Sequence, residues 1–306
     1  MRLTALAGGT GAAKLLRGLV ACLAPPELTI VVNTGDDAEV WGLHVSPDLD
    51  SVTYALAGVL DVARGWGRAD ETFRCLETLA TLGAPTWFSL GDRDLATHLM
   101  RTAALRAGTP LSAVTARLAA DLGVGARVLP MSDDPVRTVV TTTQARLAFQ
   151  EYFVRDKAQG EVVAVEYDAA ASARPAPGVL EAIAAAERIV VCPSNPVTSI
   201  APILAVPGIV DALGAARAPV VGVSPIVGGA PVSGPAGRLM RARGLEVSPL
   251  GVAAAYAPWL STLLVDTRDA ALAPALERAG VRAVAADIVM TDHASEIALA
   301  RRVLAA

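Results

Sequence analysis

Residues 3–14 read LTALAGGTGAAK, an apolar run of strand length that leads through a glycine-rich turn into a helix start. Apolar runs of similar length recur along the chain and alternate with stretches of helical periodicity. They occupy residues 3–7, 29–32, 188–192, 219–223, 263–266 and 281–286. This alternation is typical of a parallel α/β sheet. Because the runs at 29–32 and 189–192 are continuously apolar, we expect them to be central strands that are covered on both faces.

The composition of the chain excludes several classes of protein. The 306 residues contain 26 Lys and Arg against 30 Asp and Glu, and this net charge of -4 argues against a non-specific nucleic-acid binder. No stretch of about 18 uninterrupted apolar residues predicts a membrane span. Cys22, Cys75 and Cys192 lie far apart, which argues against a zinc site and against a disulfide framework. The first residues lack the pattern of a signal peptide, so we expect a cytoplasmic protein.

Between residues 51 and 125 the sequence pattern changes from strands to helices. Apolar residues at three- and four-residue spacing predict helices over residues 51–63, 71–82, 95–107 and 112–122. We therefore predict one nucleotide-binding α/β domain over residues 1–306, with a largely helical insertion at about residues 51–125.

In a parallel sheet, ligands bind beyond the carboxyl ends of the strands. The first such segment is the turn formed by Gly8, Gly9, Thr10 and Gly11, which Lys14 follows. The amides of a turn at the start of a helix can bind a phosphate. The turn has neither the spacing of a Walker A loop nor the third glycine of a dinucleotide fingerprint. A tight strand-to-helix turn without a ligand is the alternative interpretation.

Four carboxylates follow the second apolar run. Asp36 and Asp37 come shortly after it, and Asp48 and Asp50 come later. Such oxygen ligands suit Mg²⁺, which takes one or two carboxylates and completes its coordination with water and substrate phosphate. Asp50 could instead cap the helix predicted from Ser51. Asp36 could instead bind a ribose in a dinucleotide site, although the missing third glycine argues against it.

Two further loops follow apolar runs and carry polar side chains. Residues 192–199 read CPSNPVTS, in which Ser194 and Asn195 could contact a nucleotide or act as helix caps. Residues 224–229 read SPIVGG, a rigid turn that could form a third wall of a phosphate site.

The predicted insertion contains a candidate platform for a flat ring. Trp87 and Phe88 precede a polar helix start that contains Asp92, and the chain has only 4 tryptophans and 4 phenylalanines. A stacking role for these rings and burial in the core are both open. Asp92 could likewise be a helix cap. Phe149 and Phe153 could form a second edge of the same cleft or simply pack a helix.

Taken together, these motifs resemble those of the 2-phospho-L-lactate transferases of coenzyme F-420 biosynthesis. In family order they read GGTG at 8–11, NTGDD at 33–37, SPDLD at 46–50, GDRDL at 91–95, MSDD at 131–134, FQEY at 149–152, PSNP at 193–196 and VSPI at 223–226. The resemblance extends from Gly8 to about Met240. It implies a Rossmann-like, mostly parallel sheet with a helical insertion, a homodimer, and Mg²⁺-dependent transfer of a phospholactyl or phosphoenolpyruvyl group. The donor would be a guanosine diphospho conjugate, the acceptor the ribityl hydroxyl of the deazaflavin Fo, and the leaving group GMP.

The resemblance also implies roles for individual residues. Asp36 and Asp48 would bind Mg²⁺, and Asp50 would be a third ligand, a partner of the ligands or a base for the ribityl hydroxyl. The glycine-rich turn and the loop at 192–199 would hold the guanosine diphosphate, and the insertion would cover the deazaflavin ring. The substrate-binding residues would be Gly9, Thr10, Gly11, Lys14, Ser194, Asn195, Trp87, Phe88 and Asp92.

Two functions of other classes are open. A regulatory nucleotide-sugar-binding protein of the gluconeogenesis-factor type shares the glycine-rich start but performs no transfer, and the NTGDD motif favours the transferase. An NAD-dependent dehydrogenase is the other alternative. The sequence does not distinguish phospholactate, phosphoenolpyruvate and phosphoglycerate as the transferred acid.

Overall fold

The computed structural model describes the whole chain from Met1 to Ala306. Its strands, numbered in chain order, are β1 (Leu3–Ala7), β2 (Leu28–Val32), β3 (Ala38–Val40), β4 (Leu43–Val45), β5 (Arg127–Pro130), β6 (Arg137–Thr142), β7 (Arg146–Ala148), β8 (Val162–Asp168), β9 (Arg188–Val191), β10 (Val220–Val223), β11 (Ile226–Val227), β12 (Ala230–Pro231), β13 (Thr262–Asp266) and β14 (Arg282–Ala286). Its α-helices are α1 (Gly9–Val20), α2 (Pro47–Leu56), α3 (Arg74–Thr81), α4 (Asp92–Arg106), α5 (Leu111–Asp121), α6 (Val179–Ala185), α7 (Ala201–Ala205), α8 (Ile209–Ala215), α9 (Ala236–Ala242), α10 (Pro249–Ala255), α11 (Ala273–Arg278) and α12 (His293–Ala305).

Seven parallel strands form the central sheet, in the order β14-β13-β10-β9-β1-β2-β5. The predicted fold class, an α/β protein with a Rossmann-like parallel sheet, is confirmed. All six predicted strands are present, with bounds that agree to within one residue. The sequence analysis did not predict β5, which forms one edge of the sheet next to β2.

Two hydrophobic cores cover the two faces of this sheet. In β2, Ile30 and Val32 belong to one core and Val31 to the other. In β9, Val190 and Val191 divide between the two cores in the same way. Because neighbouring side chains of a strand point to opposite faces, burial on both faces requires a continuous apolar run.

The predicted helical stretch, residues 51–125, contains most of α2 and all of α3, α4 and α5. The last three agree with the predicted helices to within about three residues. The first prediction was wrong at both ends, because α2 starts with Pro47 in its first turn and ends at Leu56, ahead of Gly58 with φ +70°. Residues 57–70 instead form a series of turns that an isolated bridge between Leu60 and Arg68 closes. We call this stretch the 57–70 segment.

A second, antiparallel sheet was also not predicted. It has the strand order β7-β6-β8 and follows β5 along the chain. The pairs β3–β4 and β11–β12 form two small hairpins.

The first and last helices of the chain pack closely against each other. A side chain at Gly18 of α1 would collide with the backbone carbonyl of Glu296 in α12. Arg17 of α1 pairs with the Glu296 carboxylate, and its Nε lies 3.1 Å from Oε2. The position of α1, which begins in the glycine-rich turn, therefore depends on α12.

None of the helices, taken singly, is long and apolar enough to span a membrane. One pair of helical segments, Pro196–Ala205 and Ile209–Ala215, is bent by 88°. Only together do the two segments reach the length and apolar composition of a membrane span. Ile200, Ile203 and Ile209 of this combination are buried in the hydrophobic core.

Candidate active site

A cavity of about 790 Å³ opens at the carboxyl edge of the central sheet. It is lined by the segments after β1, β2, β9, β10 and β14 and by residues of α2, α4 and the 57–70 segment. The predicted site residues that line it are Gly9, Thr10, Gly11, Lys14, Asp36, Asp48, Asp50, Phe88, Ser194 and Asn195. Trp87 and Asp92 do not line it.

Two positions of the glycine-rich turn are packed too tightly to accept a side chain. A Cβ at Gly8 would lie 2.5 Å from Asp48 Oδ2, and one at Gly11 would collide with the carbonyl oxygen of Pro193. Gly9 has φ +70°, a conformation that favours glycine. Gly8 and Gly11 are therefore needed for lack of space and Gly9 for its backbone conformation, and the turn is fixed between the loop after β9 and α2.

The loop after β9 uses its polar side chains partly on the protein itself. The Ser194 hydroxyl donates to the carbonyl of Gly8 at 2.8 Å and accepts from the amide of Gly8 at 3.2 Å. Asn195 Oδ1 accepts from the amides of Val197 and Thr198, so Asn195 caps the helical turn that starts at Pro196. Asn195 Nδ2 makes no hydrogen bond within the chain and can therefore contact a ligand.

Asn33 connects the loops that hold the carboxylates. Its Nδ2 donates to Asp48 Oδ2 at 2.9 Å and to the carbonyl of Thr198 at 3.1 Å, while its Oδ1 accepts from the amide of Gly35 at 2.8 Å. Asn33 is completely buried. Asn33 belongs to the NTGDD motif, but the sequence predicted no role for its side chain. Its contact with Thr198 spans 165 residues and leaves no local pattern.

Asp36 and Asp48 are buried close enough to affect each other's ionisation. Burial, followed by the negative charge of Asp48, raises the pKa of Asp36 well above its ordinary value. Burial raises the pKa of Asp48 to about 6, against the opposing effect of the hydrogen bond from Asn33. Asp36 Oδ1 has no hydrogen-bond partner although it is buried.

This pair of carboxylates fits a divalent cation. A cation between them would neutralise the two charges and give the Asp36 oxygen a partner. The chain has no cluster of three or more His, Cys, Asp or Glu side chains around a possible metal position. Mg²⁺ commonly binds through only one or two carboxylates, with its other ligands from water and substrate phosphate.

Asp50 has a different environment from Asp36 and Asp48. Arg101 of α4 binds both of its carboxylate oxygens, and the Nη1 to Oδ2 distance is 3.0 Å. Arg101 is almost fully buried, so the two opposite charges compensate each other inside the protein. Asp50 lies in the first turn of α2 and lines the cavity together with Asp48.

Three more polar residues extend this ion pair along the cavity wall. His98 Nδ1 lies 3.2 Å from Arg101 Nη1, and His98 Nε2 lies 3.3 Å from Asp94 Oδ1. The hydroxyl of Tyr54 donates to the same Asp94 oxygen at 2.7 Å. Burial alone would raise the pKa of Asp94, but His98 and Tyr54 outweigh it and lower that pKa. Asp94 and His98 both line the cavity.

Asp92 acts as a helix cap, but for a neighbouring helix. Its carboxylate accepts from the amides of Arg74 and Cys75 at 3.1 Å, at the start of α3. Glu71 in turn accepts from the amides of two residues in the first turn of α4 at 2.8 Å. The two carboxylates therefore hold the starts of α3 and α4 together.

The aromatic lining of the cavity differs in part from the rings picked out in the sequence. Trp87 packs edge-on against Phe88, with the ring centroids 5.6 Å apart, and only Phe88 reaches the cavity. Phe149 and Phe153 stack at 5.5 Å and also line it. Trp66, which the sequence analysis did not consider, lines the cavity from the 57–70 segment and is 41% exposed.

The segment after β14 reaches the cavity as well. Ile288 and Met290 line it, and the carbonyl of Met290 accepts a hydrogen bond from Lys14 Nζ at 3.1 Å. The sequence analysis gave no role to the last sixty or so residues. Lys14 is thus held beside the glycine-rich turn by the far end of the chain.

Comparison with known protein families shows to which family the chain belongs. The family model for 2-phospho-L-lactate transferase CofD matches residues 3–303. The chain belongs to the CofD family. This membership confirms the resemblance inferred from the motifs.

Among CofD relatives, the phosphoenolpyruvate transferase of Streptomyces griseus is 50% identical over 99% of this chain and 98% of its own length. The 2-phospho-L-lactate transferase of Methanosarcina acetivorans is 45% identical over 94% of this chain and 93% of its own length. The chain is therefore an enzyme that transfers a phosphate-containing group. A crystal structure of a UPF0052 family member from Bacillus halodurans has a TM-score of 0.65 and 18% identity over 99% of this chain and 98% of that chain, which shows the fold alone.

Proposed function

We propose that this CofD family member catalyses a Mg²⁺-dependent step of coenzyme F-420 biosynthesis. It transfers a phosphoenolpyruvyl or phospholactyl group from a guanosine diphospho conjugate to the ribityl hydroxyl of Fo and releases GMP. The observation that carries the proposal is the buried Asp36 and Asp48 pair, which lines the same cavity as the glycine-rich turn. Phosphoenolpyruvyl is the first choice for the transferred group, because the relative named for it is 50% identical and the one named for phospholactate is 45% identical.

The size of the cavity suits a reaction with two substrates. Its volume of about 790 Å³ lies in the upper part of the range of about 300–1,000 Å³ that is usual for ligand pockets. Two ligands in one cavity can react directly, because binding replaces a bimolecular encounter by a fixed geometry.

The donor diphosphate would bind at the start of α1. This helix has 12 residues, and its N-terminal amides and dipole favour an anion. Lys14 adds a positive charge beside the same turn. Ser194 fixes Gly8, and the Asn195 amide group is available to the nucleotide.

Asp36 and Asp48 would hold the Mg²⁺, and Asn33 fixes the direction of the Asp48 carboxylate. The bound cation would neutralise the diphosphate and favour departure of GMP. In the transfer itself, the ribityl oxygen forms a bond to the phosphorus of the transferred group while the bond from that phosphorus to the GMP oxygen breaks. The hydroxyl gives its proton to solvent water as the new bond forms, and the GMP oxygen takes the electron pair of the bond that breaks.

Asp50 would orient that hydroxyl. Because Arg101 already compensates its charge, Asp50 is less suited to bind the metal than Asp36 or Asp48. We assign to Asp50 the role of hydrogen-bond acceptor for the ribityl hydroxyl. The deazaflavin ring would lie against the aromatic side chains of Phe88, Trp66 and Phe153, which line the cavity.

The test of the proposed function is a turnover assay with purified protein. Fo and Mg²⁺ are supplied with the enolpyruvyl, lactyl or glyceryl conjugate of guanosine diphosphate, and the products are identified by mass. We expect GMP and the corresponding Fo adduct, with the enolpyruvyl conjugate as the best donor. Binding of the nucleotide without turnover of any donor would support the regulatory alternative instead. The homodimer and the cytoplasmic location stay predictions, and the mass of the protein in solution tests the first.

A further inference from the structure

The 57–70 segment brings one arginine to the mouth of the cavity. Lys14 and Arg64 are the only lysine and arginine that line it. Arg64 lies in the 57–70 segment, which approaches the glycine-rich turn directly, since a Cβ at Gly65 would lie 3.1 Å from Cγ2 of Thr10. The Arg64 side chain is about one-third exposed (29%) and is therefore accessible to a ligand.

The guanidinium group of Arg64 is held in place but only partly used. Its Nε donates to Asp61 Oδ2 at 2.7 Å, and its Nη2 donates to the carbonyl of Arg68 at 3.1 Å. The rings of Trp66 and Phe73 lie 5.2 Å and 5.1 Å from its central carbon. The two N–H groups of Nη1 make no hydrogen bond within the chain. A fixed guanidinium with free donors loses little entropy when it binds an anion.

The chemistry of the proposed donor calls for a second cation near the phosphate. Both candidate acids carry a carboxylate on the carbon that is esterified to the transferred phosphate. This carboxylate must therefore lie within a few ångströms of the phosphorus, close to the glycine-rich turn. Lys14 and the start of α1 are already assigned to the diphosphate. Arg64 is the only other lysine or arginine that lines the cavity, its segment contacts this turn, and its ion pair with Asp61 leaves the Nη1 donors free.

We infer that Arg64 binds the carboxylate of the transferred acid and so distinguishes the donor from simple guanosine diphosphate esters. The inference rests on the proposed function and adds a specificity residue to it. Arg64 supplies the Nη1 donors, and Asp61, Trp66 and Phe73 keep the guanidinium in position. The diphosphate is bound without Arg64, so loss of this residue affects only ligands that carry the carboxylate.

Two guanosine ligands separate this role from a general effect on binding. The lactyl ester of guanosine diphosphate carries the carboxylate, and the ethyl ester has the same diphosphate diester without it. Dissociation constants for both are measured by calorimetry with wild-type protein and with Arg64→Ala, Arg64→Lys and Arg74→Ala. Arg74→Ala is the matched control, since it removes an exposed arginine of α3 that does not line the cavity.

We expect Arg64→Ala to weaken binding of the lactyl ester by about 10- to 100-fold, the usual effect of losing hydrogen bonds to a charged group. Binding of the ethyl ester should change less than about twofold, and Arg64→Lys should lie between wild type and Arg64→Ala for the lactyl ester. Equal losses for both esters would overturn the inference, because Arg64 would then only organise the 57–70 segment. No loss for either ester would overturn it as well. If wild-type protein bound neither ester, the proposed function itself would fail.

Discussion

Replacement of Asp48 by Asn is expected to make the metal-free protein more stable at pH 8. Burial raises the pKa of this carboxyl from 3.8 to about 6 in the folded protein. Between these two values the folded protein binds more protons than the unfolded chain, so stability falls as the pH rises through this window. Above about pH 6 the full cost of the buried charge is present. An asparagine does not ionise and avoids this cost.

The size of the effect follows from the surroundings of Asp48. A difference of about two pKa units corresponds to about 3 kcal/mol of unfolding free energy. The new amide can still accept the hydrogen bond from Asn33 Nδ2 through its oxygen. It loses the hydrogen bond that Gly9 gives to the carboxylate, at about 1 kcal/mol. The net gain is about 2 kcal/mol, or a rise in melting temperature of roughly 4 °C.

Thermal unfolding in a chelator and in excess Mg²⁺, each at pH 5 and pH 8, measures this prediction. Wild-type protein should melt higher with Mg²⁺ at pH 8, because a ligand that binds only the folded state stabilises it. Asp48→Asn should not respond to Mg²⁺. Asp50→Asn is a control that should change the stability in the opposite direction. It leaves Arg101 buried without its partner and should lower the free energy of unfolding by about 3–5 kcal/mol.

Two results would refute the reasoning. One is a metal-free Asp48→Asn protein that melts at or below the wild-type temperature at pH 8. The other is an unchanged response of this variant to Mg²⁺, which would place the cation elsewhere.

Four further substitutions test other parts of the site. Asp36→Asn should abolish turnover in a protein that circular dichroism shows to be folded, because it removes the charge of a proposed Mg²⁺ ligand at nearly constant size, and near wild-type turnover would contradict the metal assignment. Asn195→Ala should weaken the guanosine donor more than Fo in binding titrations and cost about 1 kcal/mol of stability through the lost cap, whereas equal losses would make the loop only a helix start. Trp66→Ala should raise the dissociation constant for Fo about fivefold by fluorescence titration, while Trp87→Ala should leave it unchanged, and the reverse order would reinstate Trp87 as the ring platform.

The central sheet was predictable because burial on both faces forces continuous apolar runs such as residues 29–32. The segments at the strand ends followed from the same reasoning, since ligand sites in parallel sheets lie at that edge. The antiparallel strands were missed although β6 and β8 are rich in β-branched residues, because polar and charged residues interrupt their apolar runs. The first half of the 57–70 segment was missed because its apolar residues also fit a helical period, and Arg64 and Trp66 follow it in a stretch that fits neither a helical nor a strand pattern.

Individual roles in the site depended on contacts that no local pattern encodes. Asp48 and Asp50 are two residues apart and equally acidic, but Arg101 lies 51 residues further along and binds only Asp50. Ser194 was predicted as a ligand contact, and the structure shows its hydroxyl bonded to Gly8 across 186 residues. Side chains of the same type therefore differ in function here through partners that only the folded chain brings together.

The packing of α1 against α12 has a consequence for protein synthesis. The ribosome makes the glycine-rich turn and α1 long before it makes Glu296 and Met290, which hold Arg17 and Lys14 in place. Until that late part of the chain emerges, α1 lacks the neighbour against which Gly18 is fitted. Nascent chains should therefore bind guanosine nucleotides only after α12 has emerged, even though the residues of the turn are translated well before this helix.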